Sequence, residues 1–404
     1  MDRKACVFLV LALLSSCLLA CGDVGPDDSN LKKEPPPRVQ LPKIDASNCN
    51  AETLFAHCNT SDKIKAAETY LQHRAAQWRK NEGARKYGQG TACISCHTTL
   101  PYILSVAGTQ RTTPSNVEKA LIDDITQRVN NWEKVQPWYN WNEEKSRQTR
   151  GTEAVINAVA LGLYNKNKSE QGISQSSLLA LDHLWKEQIK EGEHAGSWHW
   201  MDFNLAPWED KTGRYWGAAL VAVMLGQMPK GYTQANAIKG HPNSQKLQKN
   251  LTLLRNYLKK GYQEKQINLH NKVMLLWATT QWTGLLNASA QKALAKDIME
   301  KQLPDGGWSL AAMGKWPRSA SEVSRQKSDG YATGLTVYVL GQVQTLEDKR
   351  PIHKGIMWLI KNQSKEHGNW KSISVNSDRE GSSSARFMDD AATAFATMAL
   401  SGIR

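Results

Sequence analysis

Residues 91–102 read TACISCHTTLPY and contain the pattern Cys93-Ile-Ser-Cys96-His97. Two thiols three residues apart, followed directly by an imidazole, form the attachment signature of c-type haem. Thioether bonds from Cys93 and Cys96 would fix a porphyrin, and a ring nitrogen of His97 would be the proximal ligand to iron. The protein would then tune the metal through a second axial ligand, burial and hydrogen bonds to the first ligand. Candidates for the sixth ligand are His270, Met388 and His199, with an open, five-coordinate iron as the alternative. The two cysteines could instead form a redox-active disulfide, but the adjacent histidine favours haem.

Carboxylates form a second set. Asp329, Asp389 and Asp390 stand at the heads of apolar segments, and Glu153 follows Thr152 at another. At such positions acids commonly cap free backbone N–H groups and complement the helix dipole. The functional alternative is a ring of acids around a cavity mouth, acting in catalysis by binding a polar ligand or moving protons. Tryptophan is abundant, 15 residues against 5 phenylalanines. Trp138, Tyr139, Trp141, Trp200, Trp208, Tyr215 and Trp216 could line a pocket that stacks on sugar rings or isoprenoid chains, or they could serve packing alone.

These groups are positioned by a repeat. Five segments run into apolar helices rich in small residues: GTEAVINAVALGLY, YWGAALVAVMLGQ, LHNKVMLLWATTQW, DGYATGLTVYVLGQV and DDAATAFATMALSG. Taking Thr152, Trp216, His270, Gly330 and Asp390 as markers, the successive spacings are 64, 54, 60 and 60 residues. His97 lies 55 residues before Thr152 and heads a sixth such segment, TTLPYILSVAG. A more amphipathic, charged helix precedes each one, from AAETYLQHRAAQW to HKGIMWLIKNQ. No stretch shows sustained alternation, so the fold class is all-α, with about six two-helix repeats and the haem site in the first. The apolar helices are expected inside and the amphipathic ones outside.

The segment KGIMWLIKNQSKEHGNW resembles the QW motif of squalene-hopene cyclases and related α/α toroids through Lys354, Gly355, Trp358, Leu359, Gln363, Gly368 and Trp370. Gln302 with Trp308 repeats its second half, and Gly196-Ser-Trp198 echoes it. The resemblance covers residues 60–404 and implies an (α/α)6 toroid with a central cavity. It says little about activity, because one fold hosts unrelated chemistries. The acidic DxDD cluster those cyclases use is absent, and Asp389-Asp390 matches only part of it, elsewhere in the chain. The run CISCHTTLPY is similar to haem-bearing toroid proteins of bacterial envelopes.

The N-terminus supplies the compartment. Arg3 and Lys4 precede the apolar run ACVFLVLALLSSCLLA, which stops at Cys21, a secretory signal too short to span a membrane stably. Leu18-Leu19-Ala20-Cys21 resembles a bacterial lipoprotein signal, implying lipidation of Cys21, with Cys17 as a competing match. Residues 1–20 are then the signal, 21–59 an anchor and tether stiffened by Pro35-Pro36-Pro37, and 60–404 one folded domain. The absence of Asp after Cys21 resembles outer-membrane sorting. In that oxidising setting Cys49 and Cys58 could form a local disulfide or remain free. The net charge of +13 is spread without any run of five basic residues, which argues against a nucleic-acid partner. The expected partners are the bilayer through the anchor, a periplasmic redox protein, and a hydrophobic or sugar ligand in the cavity. The expected function is electron transfer, or oxidoreduction of a cavity ligand, by a monohaem c-type cytochrome. Alternatives are an envelope binding protein with structural or sensory haem, and a terpenoid cyclase or polysaccharide lyase.

Overall fold

A computed structural model describes residues 60–109, 113–135, 141–166, 173–228, 232, 244–316, 322–376 and 386–402. The lipidation candidates Cys21 and Cys17 and the pair Cys49 and Cys58 lie outside these residues, as do Trp138 and Tyr139.

The all-α reading holds. Among the described residues the only β pairing consists of two isolated bridges, Gln188 with Trp198 and Leu205 with Glu209. The helices are α1 Ser61–Lys80, α2 Glu82–Arg85, α3 Thr99–Thr109, α4 Asn116–Asn130, α5 Glu143–Lys166, α6 Gln175–Glu187 and α7 Gly213–Gln227. They continue as α8 Ser244–Gln263, α9 Leu269–Gln281, α10 Ala288–Met299, α11 Glu322–Arg325, α12 Gly330–Gly341, α13 Arg350–Asn362 and α14 Phe387–Ser401. No described helix is long and apolar enough to cross a membrane.

The apolar helices pack in chain order. α3 touches α5, α5 touches α7, α7 touches α9, α9 touches α12, α12 touches α14, and α14 returns to α3. Small residues let these helices approach closely. A side chain at Gly334 of α12 would bring its Cβ to 2.6 Å from the Ala396 nitrogen of α14. The amphipathic helices lie outside: α1 on α3 and α14, α4 on α5, α6 on α5, α8 on α7, α10 on α9, and α13 on α12. Their starts are written locally. Ser115 and Glu118 close a reciprocal capping box on α4, and Ser174 and Asn287 cap α6 and α10.

One boundary differs from expectation. The second apolar helix begins at Glu143, well before Gly151. The added turns hold together because the Asn142 side chain accepts from the Lys145 N–H, while Arg147 pairs with Glu143 and Glu144 at helical spacing.

Three similar junctions tie successive outer helices together. The Gln363 amide donates to the Gly368 and Lys63 carbonyls at 2.7 and 2.8 Å, and the Trp370 indole donates to Leu359 O. Gln302 does the same with Gly306 and Pro351, alongside Trp308 on Ile298 O. Gln188 does it with Gly196 and Asn250, alongside Trp198 on Leu184 O. The Gln363 junction joins the last outer helix to the first. There the loop residue Gly368 has φ +73°, and a Cβ would press on Ala66 of α1 at 2.8 Å.

Aromatic rings from three inner helices meet in the interior. Trp277 of α9 and Tyr331 of α12 both pack edge-on against Phe395 of α14, and each of the three is at most 1% exposed. Trp208 adds its ring to Tyr331 at 5.3 Å.

Candidate functional site

The CxxCH pattern sits in the turn between α2 and α3, and its own residues set its shape. Ser95, the second residue between the cysteines, accepts from the Thr98 and Thr99 N–H groups through its hydroxyl, at 3.2 and 3.0 Å. The Thr99 hydroxyl reciprocates by accepting from the Ser95 N–H at 2.7 Å. The motif therefore caps α3. On its other side the Cys93 N–H donates to Ala84 O, and the Trp78 indole of α1 donates to Cys93 O at 2.7 Å.

Cys93 is half-buried and Cys96 buried, and both are free thiols. Burial pushes each thiol well above its ordinary range, with Arg128 partly opposing this at Cys93. Thiolate chemistry, whether nucleophilic or disulfide exchange, is correspondingly disfavoured. Around them Trp78, Ala84, Ala92 and Phe387 form an apolar cluster that Cys93 joins. The His97 ring stacks on Phe387 at 3.5 Å between centroids and takes the Trp78 edge at 5.0 Å.

His97 Nδ1 lies 2.8 Å from the Thr98 hydroxyl, which donates to Asp390 Oδ2 at 2.6 Å. A hydroxyl has one proton, so with that proton on Asp390 the Nδ1 position must carry the imidazole hydrogen. This tautomer leaves the lone pair on Nε2, the nitrogen that would ligate a metal. Asp390 also accepts from Arg74 Nε and Nη2 at 2.8 and 3.0 Å and from the Tyr70 hydroxyl at 2.9 Å. Arg74 and Asp390 are 3% and 0% exposed, and the bidentate pair keeps each charge compensated.

The other expected acids are drawn into the scaffold, Asp329 and Asp389 on either side of Ser372 and Glu153 elsewhere. Asp329 caps α12 by accepting from the Tyr331 and Ala332 N–H groups, takes Leu310 N–H at 2.6 Å, and accepts from Ser372 Oγ. Burial raises its carboxyl to about 6 against the lowering effect of those donors. Asp389 accepts from Lys371 Nζ at 2.7 Å and from the Ser372 N–H, so Ser372 bridges Asp389 and Asp329. Burial raises Asp389 as well. Glu153 pairs with the buried Arg128 at 2.6 Å, and Arg128 also donates to the Thr91 hydroxyl.

The sixth-ligand candidates are dispersed. His270 caps the interior, fully buried, with Nε2 on the Tyr331 hydroxyl at 2.9 Å and burial holding its pKa near 3. His199 lines a surface cleft of about 600 Å³ with Asn142, Glu143, Arg147, Arg150 and Glu187. Met388 is buried and follows Phe387, so it alone of the three is next in sequence to a residue that touches His97. Among the described residues no group of three or more His, Cys, Asp or Glu side chains is arranged to hold a metal ion.

Sequence reasoning placed the motif and Asp390 at helix heads but not the contact between them. It also passed over Tyr70, Arg74 and Thr98. One signal was present: Tyr70, Arg74 and Trp78 recur at intervals of four on the buried face of α1, where a lone arginine requires a carboxylate partner. No protein-family model matches the chain, and no curated protein matches it.

Proposed function

We propose that this chain is an exported monohaem c-type cytochrome, carried on an (α/α)6 toroid like that of squalene-hopene cyclases and tethered to the envelope through Cys21. The observation that carries the reading is the CxxCH turn itself. Two unbonded thiols precede a histidine whose Nδ1 proton is committed to Thr98, which puts the basic lone pair on Nε2. Cys93 and Cys96 would hold the porphyrin through thioethers, His97 Nε2 would ligate the iron, and the Trp78–Phe387 cluster offers it an apolar wall. The cofactor would supply one-electron redox chemistry at iron.

The cyclic order of inner-helix contacts and the three Gln–Trp junctions support the toroid. The packed Trp277, Tyr331 and Phe395 favour electron transfer over oxidation of a ligand in a central cavity. Such a role calls for a redox partner at the surface near residues 93–97, in the periplasm-facing envelope.

The test is a pyridine haemochrome spectrum of the full chain exported in a host with c-haem maturation. The expected result is the two-thioether spectrum, one haem per chain, lost in the Cys93→Ala/Cys96→Ala double variant. A wild-type chain without covalent haem sinks the reading.

A further inference from the structure

The hydrogen bonds behind His97 extend further than ligand orientation requires. Asp390 lies on α14, in the last repeat; Tyr70 and Arg74 lie on α1, in the first; Thr98 belongs to the motif turn. Four groups thus meet only where the two ends of the fold come together. Their polarity is fixed by counting protons. Asp390 receives two guanidinium N–H groups and the Tyr70 hydroxyl, so it is an ionised acceptor. The Thr98 hydroxyl therefore gives its proton to Asp390 and offers a lone pair to His97 Nδ1–H. Tyr70, Arg74, Thr98 and Asp390 are all at most 3% exposed, so neither water nor salt weakens the chain of bonds. Donation to a carboxylate makes a hydroxyl oxygen a better acceptor, and a better acceptor on Nδ1–H enriches the opposite ring nitrogen in electron density.

We propose that Asp390, acting through the Thr98 hydroxyl, is a positioning residue that locks the His97 tautomer and strengthens Nε2 as an electron donor, holding the bound iron at a lower reduction potential. This rests on the haem reading above. An electron-rich ligand favours ferric over ferrous iron, so the sign of the effect is set. It also ties redox tuning to closure of the fold, because the carboxylate and the histidine come from its opposite ends.

The decisive variant is Thr98→Val. It removes the hydroxyl at nearly constant volume and leaves the Arg74–Asp390 pair in place, whereas Asp390→Asn would strand Arg74 and could prevent folding. In the haem-loaded protein the expected results are an upward shift of the midpoint potential and a lower iron–histidine stretching frequency. Thr98→Ser should restore both. In the metal-free protein, ¹⁵N NMR of the His97 ring should show the Nδ1–H tautomer in the wild type and a mixture in Thr98→Val. A Thr98→Val potential equal to that of wild type, with haem bound, overturns the proposal, as does a wild-type His97 in the Nε2–H tautomer. Absence of covalent haem from the wild type would instead bring down the haem reading beneath it.

Discussion

Two histidines head inner helices of this fold and differ in every other respect. His97, before α3, is half-buried, preceded in the chain by Cys93 and Cys96, and held at Nδ1 by a hydroxyl that a buried carboxylate polarises. His270, at the start of α9, is wholly buried in an aromatic cage, with Nε2 on the Tyr331 hydroxyl and the Trp316 ring edge-on at 6.2 Å. Burial without a neighbouring charge keeps His270 neutral. The same residue type at the same kind of position is thus either poised at Nε2, as the proposed haem ligation needs, or used as a core hydrogen bonder. The deciding factors are what occupies the other nitrogen and whether soft donors lie alongside.

Exchange of the two roles is the largest effect on offer. On the proposed haem reading, His97→Ala should abolish imidazole ligation, read as loss of the haem absorption bands, with little change in the fold. His270→Ala should leave those bands intact but destabilise the protein by about 1–3 kcal/mol, because the Tyr331 O–H loses its acceptor inside the core while its oxygen still accepts from the Trp208 indole. Parallel spectra and thermal melts decide this. Haem loss in His270→Ala with retention in His97→Ala would reverse the assignment.

A smaller effect separates the regions through their supports. Gln363 fastens α13 to α1, which carries Tyr70, Arg74 and Trp78 behind His97, whereas Gln188 makes the equivalent junction to α8. Each alanine substitution should cost about 1–3 kcal/mol by leaving the buried loop carbonyl, Gly368 or Gly196, without its glutamine donor and removing the bond to the neighbouring helix. Only Gln363→Ala should also speed hydrogen exchange in the motif turn. Equal exchange in both variants would show that closure of the fold does not support the CxxCH turn.

The smallest effect concerns a third histidine. His183 stacks on Trp132 at 4.7 Å, and burial lowers its pKa to about 4, with Lys186 and Arg150 adding to the shift and Glu133 opposing it. In the unfolded chain it would titrate near 6.5. Its neutral form therefore contributes stability that is present above about pH 6.5 and lost as pH falls through about 4. His183→Phe should flatten the decline in melting temperature across that window, modestly because the site is only half-buried. An unchanged slope would remove His183 as its source.

Much of this molecule was legible in its sequence. The period of about 60 residues and the contrast between apolar and amphipathic segments follow from local composition, and the helices fall where those patterns lie. The Gln363 and Gln302 junctions were visible because each tryptophan lies six or seven positions after its glutamine, whereas Gln188 was missed because Trp198 lies ten positions after it. The acids read as a ring divided into unlike environments. Asp329 and Asp389 are wrapped in donors around Ser372, and Asp390 faces Arg74 instead. Nothing in the spacing of helix-start carboxylates distinguishes those fates.

The sequence by itself determined the helix class, the repeat period and the local capping of the CxxCH turn, because each depends on residues close together in the chain. Only the tertiary structure decided which residues stand behind His97. Tyr70 and Arg74 lie about 320 residues before Asp390 along the chain. They meet it because the last inner helix packs against the first outer one, and a buried guanidinium must find its carboxylate wherever the fold brings one.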